Sequence, residues 1–566
     1  LYANANLLIY VENEMNKAVF LFIFILTAMC LSAQSPEWMW AKQAGGMDYD
    51  SGYGIATDSI GNSYVTGCFE GTATFGNITL TTNVSYDIFI AKLDSNGSYL
   101  WAKQAGGTSS DDGLGIATDS NGNCYVTGFF SDNATFGTTT LTSNGYNDIF
   151  IIKLDSNGNY LWAKQAGGAY DDQGRNISID NCGNTYVTGV YQGYATFDNS
   201  TITGNGSVDI FVTKLDTDGN YLWVKQAGGA SYDYCYGIAT DSSCDSYVTG
   251  IFENTATFGI STITSNGYFD IFIAKLDTNG NWLWAKQAGG ISFDRGRSIA
   301  TDSSGNSYVT GFFPGSATFG TISLISSGIY DIFVAKLDTN GNWLWVKQAG
   351  GTDAVLGWGI AADWSGNSYV TGSFQNTAVF GSTTLTSNGY NDIFIAKLDT
   401  HGNWLWTMQA GGSFSYEGYG IAADCNGNIY VTGVFYDNAT FGNTSISSNG
   451  EFDIFIAKLS CSTSVSDEYG VPQANFTLGQ NYPNPFITST SFAIEVSDTK
   501  AAYEVSVYNL RGRHICTLHR GVIPAGKQTF TWNGKDAAEN ELSNGVYFYR
   551  VSNGITSQVK KMIYVK

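Results

Sequence analysis

Trp40, Trp101, Trp162, Trp223, Trp284, Trp345 and Trp406 stand 61 residues apart without a slip. Each opens the phrase Trp-Ala-Lys-Gln-Ala-Gly-Gly or a close variant of it. A second marker, Asp-Ile-Phe, keeps the same step at Asp87, Asp148, Asp209, Asp270, Asp331, Asp392 and Asp453. A fixed period of this size means one supersecondary unit copied seven times, and no other feature narrows the fold as much.

One unit, read from Gly52, runs GYGIATDS, GNSYVTGCF, TATFGNITLT, DIFIAKLD and SYLWAKQAGG. Its β-branched and aromatic runs are short and are parted by Gly, Asn and Asp, with no helical period. Asp58–Asn62 and Asp94–Gly97 read as hairpin turns, because Asn and Gly tolerate positive φ and Asp can bind local amides. The segment around Phe75 reads as a short excursion or an irregular strand, leaving four main strands. IFIAKL and YVTGFF are apolar on both faces, so each sheet is covered on both sides. Seven such sheets, each held between two neighbours, describe an all-β, seven-bladed β-propeller.

The ends of the repeat region favour a closed ring. The last unit stops at Leu459 without a YLWAKQ strand, and the missing strand stands in front as Trp38–Gln43. Residues 34–460 number seven times 61. The N-terminal strand is therefore expected to complete the seventh blade.

The net charge of −22 is uneven: the stretch from Asp467 onward is +2, leaving −24 for the remainder. Such a field repels phosphate backbones and argues against nucleic-acid binding. Residues 1–14 lack an initiator and read as upstream sequence. Residues 15–33 read as a signal peptide, with Lys17, an apolar core from Ala18 to Met29, and a small-residue cleavage site at Ala33. Lipidation at Cys30 fits less well, because Met29 is a poor residue before a lipidated cysteine. The expected product is exported, to the outer-membrane surface or the medium. The remaining cysteines fall at different points of the repeat with no CxxC pair, so no zinc site is expected. Scattered thiols in a scaffold are the favoured reading, although export would permit oxidation.

The phrases GIATDSxGNxYVTG and DIFIAKLDxNGNxLW resemble the SBBP family of bacterial β-propeller repeats, over most of residues 40–459. That resemblance implies the fold and leaves activity open. After a polar linker at 461–475, residues 476–566 read as short alternating strands of a small Ig-like β-sandwich. Their order of motifs is similar to the type A C-terminal sorting domain of the type IX secretion system. The motifs are Asn481-Tyr482-Pro483-Asn484-Pro485-Phe486, the strand with Gly545 and Tyr547, and the end with Lys560 and Lys561. The resemblance implies the secretion machinery as a partner and passage across the outer membrane. It also implies removal of the domain, followed by release or attachment to surface lipopolysaccharide.

Catalytic chemistry has few candidates. His401 is the one histidine of the repeats and stands in a turn where siblings carry Asn or Asp, so a Ser-His-Asp apparatus lacks a base. A sialidase-like Asp box needs Asp two residues before Gly, whereas these turns have Asp three before it. Only Arg175, Arg295 and Arg297 could hold a substrate carboxylate. The Asp-x-Asn/Asp-Gly turns at Asp94, Asp155, Asp216, Asp277 and Asp338, and their counterpart at Asp399 with His401, lack the later acidic residue of an EF-hand, so they read as hairpins. No metal or cofactor is expected.

The informative contrast is between fixed and varying positions of the repeat. Gly45, Trp40, Tyr64, Phe89 and their copies are fixed and read as structural. At the entry to the first strand the seven copies read Tyr53, Leu114, Arg175, Tyr236, Arg297, Trp358 and Tyr419. Aromatics and arginines suit a binding surface at one mouth of the central channel, for a glycan or protein ligand. The overall charge favours a neutral glycan. The chain is thus expected to be a monomeric binding module without enzymatic activity. The alternatives are a propeller-type glycan-acting hydrolase and a purely structural surface component.

Overall fold

The computed structural model describes residues 36–460, except 83, 84 and 364, and residues 476–565, except 497–501, 510–513, 538–539 and 553–556. The expected leader segments and the linker at 461–475 lie outside the described residues. Two compact units divide between Ser462 and Thr463. The first is a ring of seven antiparallel blades.

In the first blade the strands pair in chain order: Ser51–Thr57, Ser63–Phe69, Asp87–Leu93 and Tyr99–Gly107. The second and third strands are buried along their whole length, as their two apolar faces require. Each innermost strand packs on the innermost strands of both neighbouring blades, and this inner ring closes between Tyr416–Ala423 and Ser51–Thr57. The seventh blade takes its outermost strand from the front of the chain: Glu37–Ala44 pairs antiparallel with Thr444–Ser460. The expected closure is therefore the observed one.

The fixed residues hold blade to blade. Tyr64 is fully buried and its hydroxyl donates to the Gly122 carbonyl of the next blade at 2.8 Å. Tyr186, Tyr247 and Tyr308 make the same bond to Cys244, Gly305 and Gly366. Tyr430 makes it to Gly61, across the boundary where the seventh blade meets the first. Trp40 repeats the closure at the rim, donating its indole N–H to the Ser95 carbonyl at 3.2 Å, as Trp101 does to Ser156. The lysine of each third strand lies over the buried tyrosine ring, Lys92 over Tyr64 at 4.7 Å and Lys458 over Tyr430 at 5.0 Å. Such a contact retains a charge in a nearly buried place.

The segment around Phe75 is a hairpin of Thr72–Phe75 and Ile78–Thr81. Its first arm bridges Gly45 at the end of the preceding blade's outermost strand through Thr74. Phe75 is buried against Phe89 at 4.9 Å. In three other blades the hairpin is continuous with the main strands, as in Cys124–Phe136 and Thr139–Leu154. The excursion thus covers part of the blade edge, where free backbone groups would otherwise invite pairing.

The second unit is a sandwich of two sheets. One orders Phe476–Leu478, Thr490–Val496 and Gly526–Trp532; the other orders His514–Val522, Ala502–Asn509, Gly545–Ser552 and Ser557–Tyr564. Phe486, Phe492, Ile494, Trp532, Tyr549 and Tyr564 lie in the core between them.

Five blade boundaries bury two carboxyls side by side. Asp50 accepts the Gly46 amide at 2.6 Å, and Gln43 donates to Asp453 at 2.5 Å. A Cβ on Gly45 would lie 2.7 Å from both carboxyl groups. Asp87 with Asp111, Asp148 with Asp172, Asp209 with Asp233, and Asp270 with Asp294 repeat the pair; Val355 and Tyr416 replace the second member at the remaining boundaries. Burial first, and then the neighbouring carboxylate, push Asp50 and Asp111 up to about 8 and Asp172, Asp233 and Asp294 up to about 7. The folded ring therefore holds more protons than the unfolded chain between pH ~4 and ~8, and stability should fall as pH rises through that window, by up to ~1.4 kcal/mol per unit for each such group. The turn carboxylates Asp216, Asp277, Asp338 and Asp399 have the opposite sign. Burial raises them, but their Asn partners and backbone amides outweigh it and hold them low, so their contribution is lost below pH ~4. Thermal melts of the ring should peak near pH 4–5 and decline towards pH 8; a melting temperature that rises across that range contradicts this assignment.

Candidate functional site at the channel mouth

The inner strand of every blade carries one unpaired residue. Gly52 pairs with Gly67 and Gly54 with Thr66, leaving Tyr53 as a β-bulge between them. Leu114, Arg175, Tyr236, Arg297, Trp358 and Tyr419 occupy the same bulge in the other blades. The fixed glycine of Tyr-Val-Thr-Gly makes the bulge feasible: a Cβ on Gly67 would lie 1.8 Å from the Ser51 carbonyl, and on Gly128 1.8 Å from that of Asp112. A bulge turns its extra residue out of the ladder and re-aims the side chain. All seven residues line one cavity of about 680 Å³, and all are half-buried.

The cavity wall is a chain of ring contacts. Tyr53 lies 5.8 Å from Tyr419, and Tyr419 meets Trp358 edge-on at 5.8 Å. The Arg297 guanidinium is held between Trp358 at 4.5 Å and Tyr236 at 4.7 Å. Arg295, on the same strand, lies over Phe293 at 4.4 Å. The buried Nε atoms of Arg175, Arg295 and Arg297 have no hydrogen-bond partner, and among the described residues none of the three forms an ion pair. Burial, followed by the charges of Arg295 and Arg175, holds Arg297 down to about 10 against the opposing pull of Tyr236.

Asp112, Gln173 and Glu417 line the same cavity and were not among the residues expected there. They stand two residues before the bulge, on the face that also carries Tyr234 and Arg295. This position varies between repeats as freely as the bulge itself, and that variation was the available signal. Burial raises the Asp112 carboxyl, with Cys68 and Arg175 opposing; burial likewise raises Glu417, with Tyr419 and Arg297 opposing. The cavity therefore offers ring faces, guanidinium donors and two carboxyls that burial raises above their ordinary range.

Other sequence candidates have structural partners. The His401 amide donates to Asp399 within its turn. The carboxylate of Asp277 is taken up by the Asn279 and Asn281 amides at 2.9 and 2.8 Å, as in sibling turns.

In the second unit Asn481 is buried and donates to Thr490 Oγ1 at 2.9 Å. Thr490 donates in turn to the Pro483 carbonyl at 2.7 Å. Asn484 Oδ1 accepts the Ile563 amide at 2.8 Å, and Phe486 stacks on Tyr564 at 4.9 Å. Pro485 lies in the same clamp, which fastens the opening loop to the last strand. Tyr547 donates to the Ser543 carbonyl at 2.9 Å, and its strand begins at Gly545. Lys560 and Lys561 pair opposite Tyr549 and Phe548. Tyr482 alone of the aromatic motif residues is exposed, at 82%.

Six stretches match the SBBP family, described as a beta-propeller repeat: residues 40–67, 100–128, 161–190, 222–250, 283–311 and 405–434. Residues 484–557 match the FlgD Ig-like domain. Six of the seven copies of the repeat thus carry a stretch that matches the SBBP beta-propeller repeat. No matched stretch covers the first three strands of the sixth blade, Val355–Ala362, Ser368–Phe374 and Asp392–Leu398, which pair in the same order as the others. An uncharacterized WD repeat-containing protein of Acanthamoeba polyphaga mimivirus is 25% identical over 498 residues, 70% of this chain and 36% of the relative. The Regulatory protein FlaEY of Caulobacter vibrioides is 26% identical over 339 residues, 54% of this chain and 34% of the relative. The chain thus spans about a third of the length of these relatives. The Basal-body rod modification protein FlgD of Salmonella typhimurium is 30% identical over 132 residues, 23% of this chain and 55% of the relative. Among solved structures, PorZ of Porphyromonas gingivalis aligns with a TM-score of 0.20 at 11% identity, over 91% of this chain and 81% of that one. Similarity of that size carries no functional argument.

Because the mouth residues stand on bulges outside the blade cores, replacing Tyr236 and Trp358 together by alanine should change stability by no more than ~1 kcal/mol. Circular dichroism melts check this. Cooperative unfolding many degrees lower would place these rings in the core.

Proposed function

We propose that the ring is an exported binding module and that the channel mouth is its ligand site. The observation that carries this reading is the bulge: a fixed glycine holds the same unpaired position in every blade, and there the repeats place aromatics and arginines rather than one conserved residue. The expectation of a neutral glycan rested on overall charge. The local arrangement favours a saccharide bearing a carboxylate, since unpaired guanidiniums hold carboxylates bidentately and aromatic rings stack on the apolar faces of sugars. Binding rather than catalysis is the reading we favour. A propeller-type hydrolase is the second reading, and the presence of Asp112 and Glu417 in one cavity supports it, because glycosidic cleavage uses a pair of carboxyls.

Export through the type IX system belongs to the same proposal. It is supported by the Asn481–Phe486 motif, by the strand with Gly545 and Tyr547, by the lysine-bearing end, and by the leader-like residues 15–33. On this reading the secretion machinery recognises the second unit, and the ring is released or held on surface lipopolysaccharide.

Two measurements test these points. An array of acidic and neutral glycans should retain the purified protein on carboxylated saccharides, and Arg175→Ala with Arg297→Ala should lose that retention at least tenfold. Retention unaffected by the substitutions moves the site elsewhere, while chain cleavage abolished by Asp112→Asn favours the hydrolase. Separately, a chain lacking residues 476–566 should fold but accumulate in the periplasm. Normal surface amounts of the truncated chain would make the second unit an ordinary structural domain.

A further inference from the structure

Each blade ends its inner strand in an Asp-led turn, and at Gly61, Gly122, Gly305 and Gly366 the fourth residue of that turn packs on the aspartate and tyrosine of the preceding blade. A Cβ on Gly122 would lie 3.2 Å from the Tyr64 hydroxyl, and one on Gly305 3.2 Å from the Asp241 carboxylate. Six of the seven turns have glycine there, at Gly61, Gly122, Gly183, Gly305, Gly366 and Gly427. The exception is Cys244, which holds the left-handed backbone at φ 64° that its siblings leave to glycine. Across the same boundary, the preceding blade's turn carries Cys182, where siblings have Ile, Asn or Ser. The thiols of Cys182 and Cys244 and the Asp180 carboxylate lie within 4.8 Å of one another. Two substitutions, each unique in its repeat position, thus meet at one boundary, although they are 62 residues apart in sequence.

We propose that Cys182 and Cys244 form a reversible inter-blade disulfide that locks the third blade to the fourth.

A metal ion suits the cluster poorly. Asp180 Oδ1 already accepts the Cys182 and Asn184 amides, each at 2.9 Å. Its Oδ2 accepts the Asn184 side chain at 2.8 Å and the Tyr186 hydroxyl, and the Lys214 ammonium stands 3.5 Å away. A cation would have to displace these donors beside a fixed positive charge. Two sulfurs need no such displacement.

The chemistry balances through an external disulfide of the small-molecule or oxidoreductase class. Cys182 is exposed and lines a cleft of about 510 Å³, so its thiolate is the one placed to attack first. Its sulfur bonds to one sulfur of the acceptor and the other leaves as a thiol. Cys244 then loses its proton and attacks Cys182 Sγ, expelling the second acceptor thiol. Two electrons and two protons pass to the acceptor, and one S–S bond replaces another. Burial, followed by Asp180 and Cys182, pushes the Cys244 thiol up to about 11, so Cys244 is the slower thiol to ionise and exposed Cys182 reacts with the acceptor first. The bond would close a long loop between adjacent blades, where a crosslink restrains the unfolded chain most.

The full-length protein, equilibrated with oxidised glutathione or with dithiothreitol, then alkylated and digested, tests the proposal. The expected oxidised product is a peptide pair joining Cys182 to Cys244, with a melting temperature several degrees above that of the reduced form. Cys244→Gly restores the residue its siblings carry; it should fold and melt like the reduced protein under both conditions. Quantitative alkylation of both cysteines after glutathione treatment would overturn the proposal. So would Cys182 ending only as a mixed disulfide, or a redox response that persists in Cys244→Gly. Stoichiometric zinc binding by the reduced protein, lost in Cys244→Gly, would make the cluster a metal site instead.

Discussion

A buried tyrosine hydroxyl that reaches from one blade to a turn carbonyl of the next is the contact on which this ring depends. It satisfies a polar group that would otherwise be stranded between two apolar sheets, and burial without a partner would cost on the order of 1–3 kcal/mol. The same contact sets the spacing of neighbouring turns and carries the lysine stacked on its ring. Because Tyr430 repeats it to Gly61, the boundary between the seventh blade and the first is held as those after Tyr64, Tyr186, Tyr247 and Tyr308 are. The strand Glu37–Ala44 and the indole bond from Trp40 to Ser95 reinforce that equivalence at the outer edge.

A scaffold defined this strictly leaves limited positions free to differ, and one set of them stands at the channel mouth. The glycine of Tyr-Val-Thr-Gly removes a side chain where the inner strand must bulge, and the bulge points one residue per blade into a shared cavity. Seven copies of one backbone thus present side chains of four kinds, Tyr, Arg, Trp and Leu, around a common opening. The Arg297 guanidinium between Tyr236 and Trp358 shows how neighbouring blades combine: no single repeat holds such a site, and three adjacent ones do.

Much of this was legible in the sequence because the repeat acts as its own comparison set. The period, the four strands and the displaced closing strand follow from spacing alone, and contrast between copies picked out Tyr53 and its six counterparts. The bulge itself was not legible, since it depends on the approach of the Ser51 carbonyl to Gly67 across the ladder. Asp112, Gln173 and Glu417 escaped notice because only the bulge geometry brings the residue two places earlier to the same wall. The hairpin around Phe75 was ambiguous because the bridge that anchors it, from Thr74 to Gly45, reaches the preceding blade. The paired carboxyls and the meeting of Cys182 with Cys244 were hidden for the same reason, as both arise where blades touch. The motif Asn481–Phe486 was visible as a pattern, but its clamp on the final strand is a tertiary fact.

The ring stands closed because the strand Glu37–Ala44 completes the seventh blade. Hydrogen exchange resolved strand by strand tests it most directly. The amides of Glu37–Ala44 should be protected as strongly as those of the equivalent outer strand Tyr99–Gly107, with loss of protection only on unfolding of the whole ring. Exchange of Glu37–Ala44 orders of magnitude faster than that of Tyr99–Gly107 would mean that the seventh blade stands open, and would contradict the account.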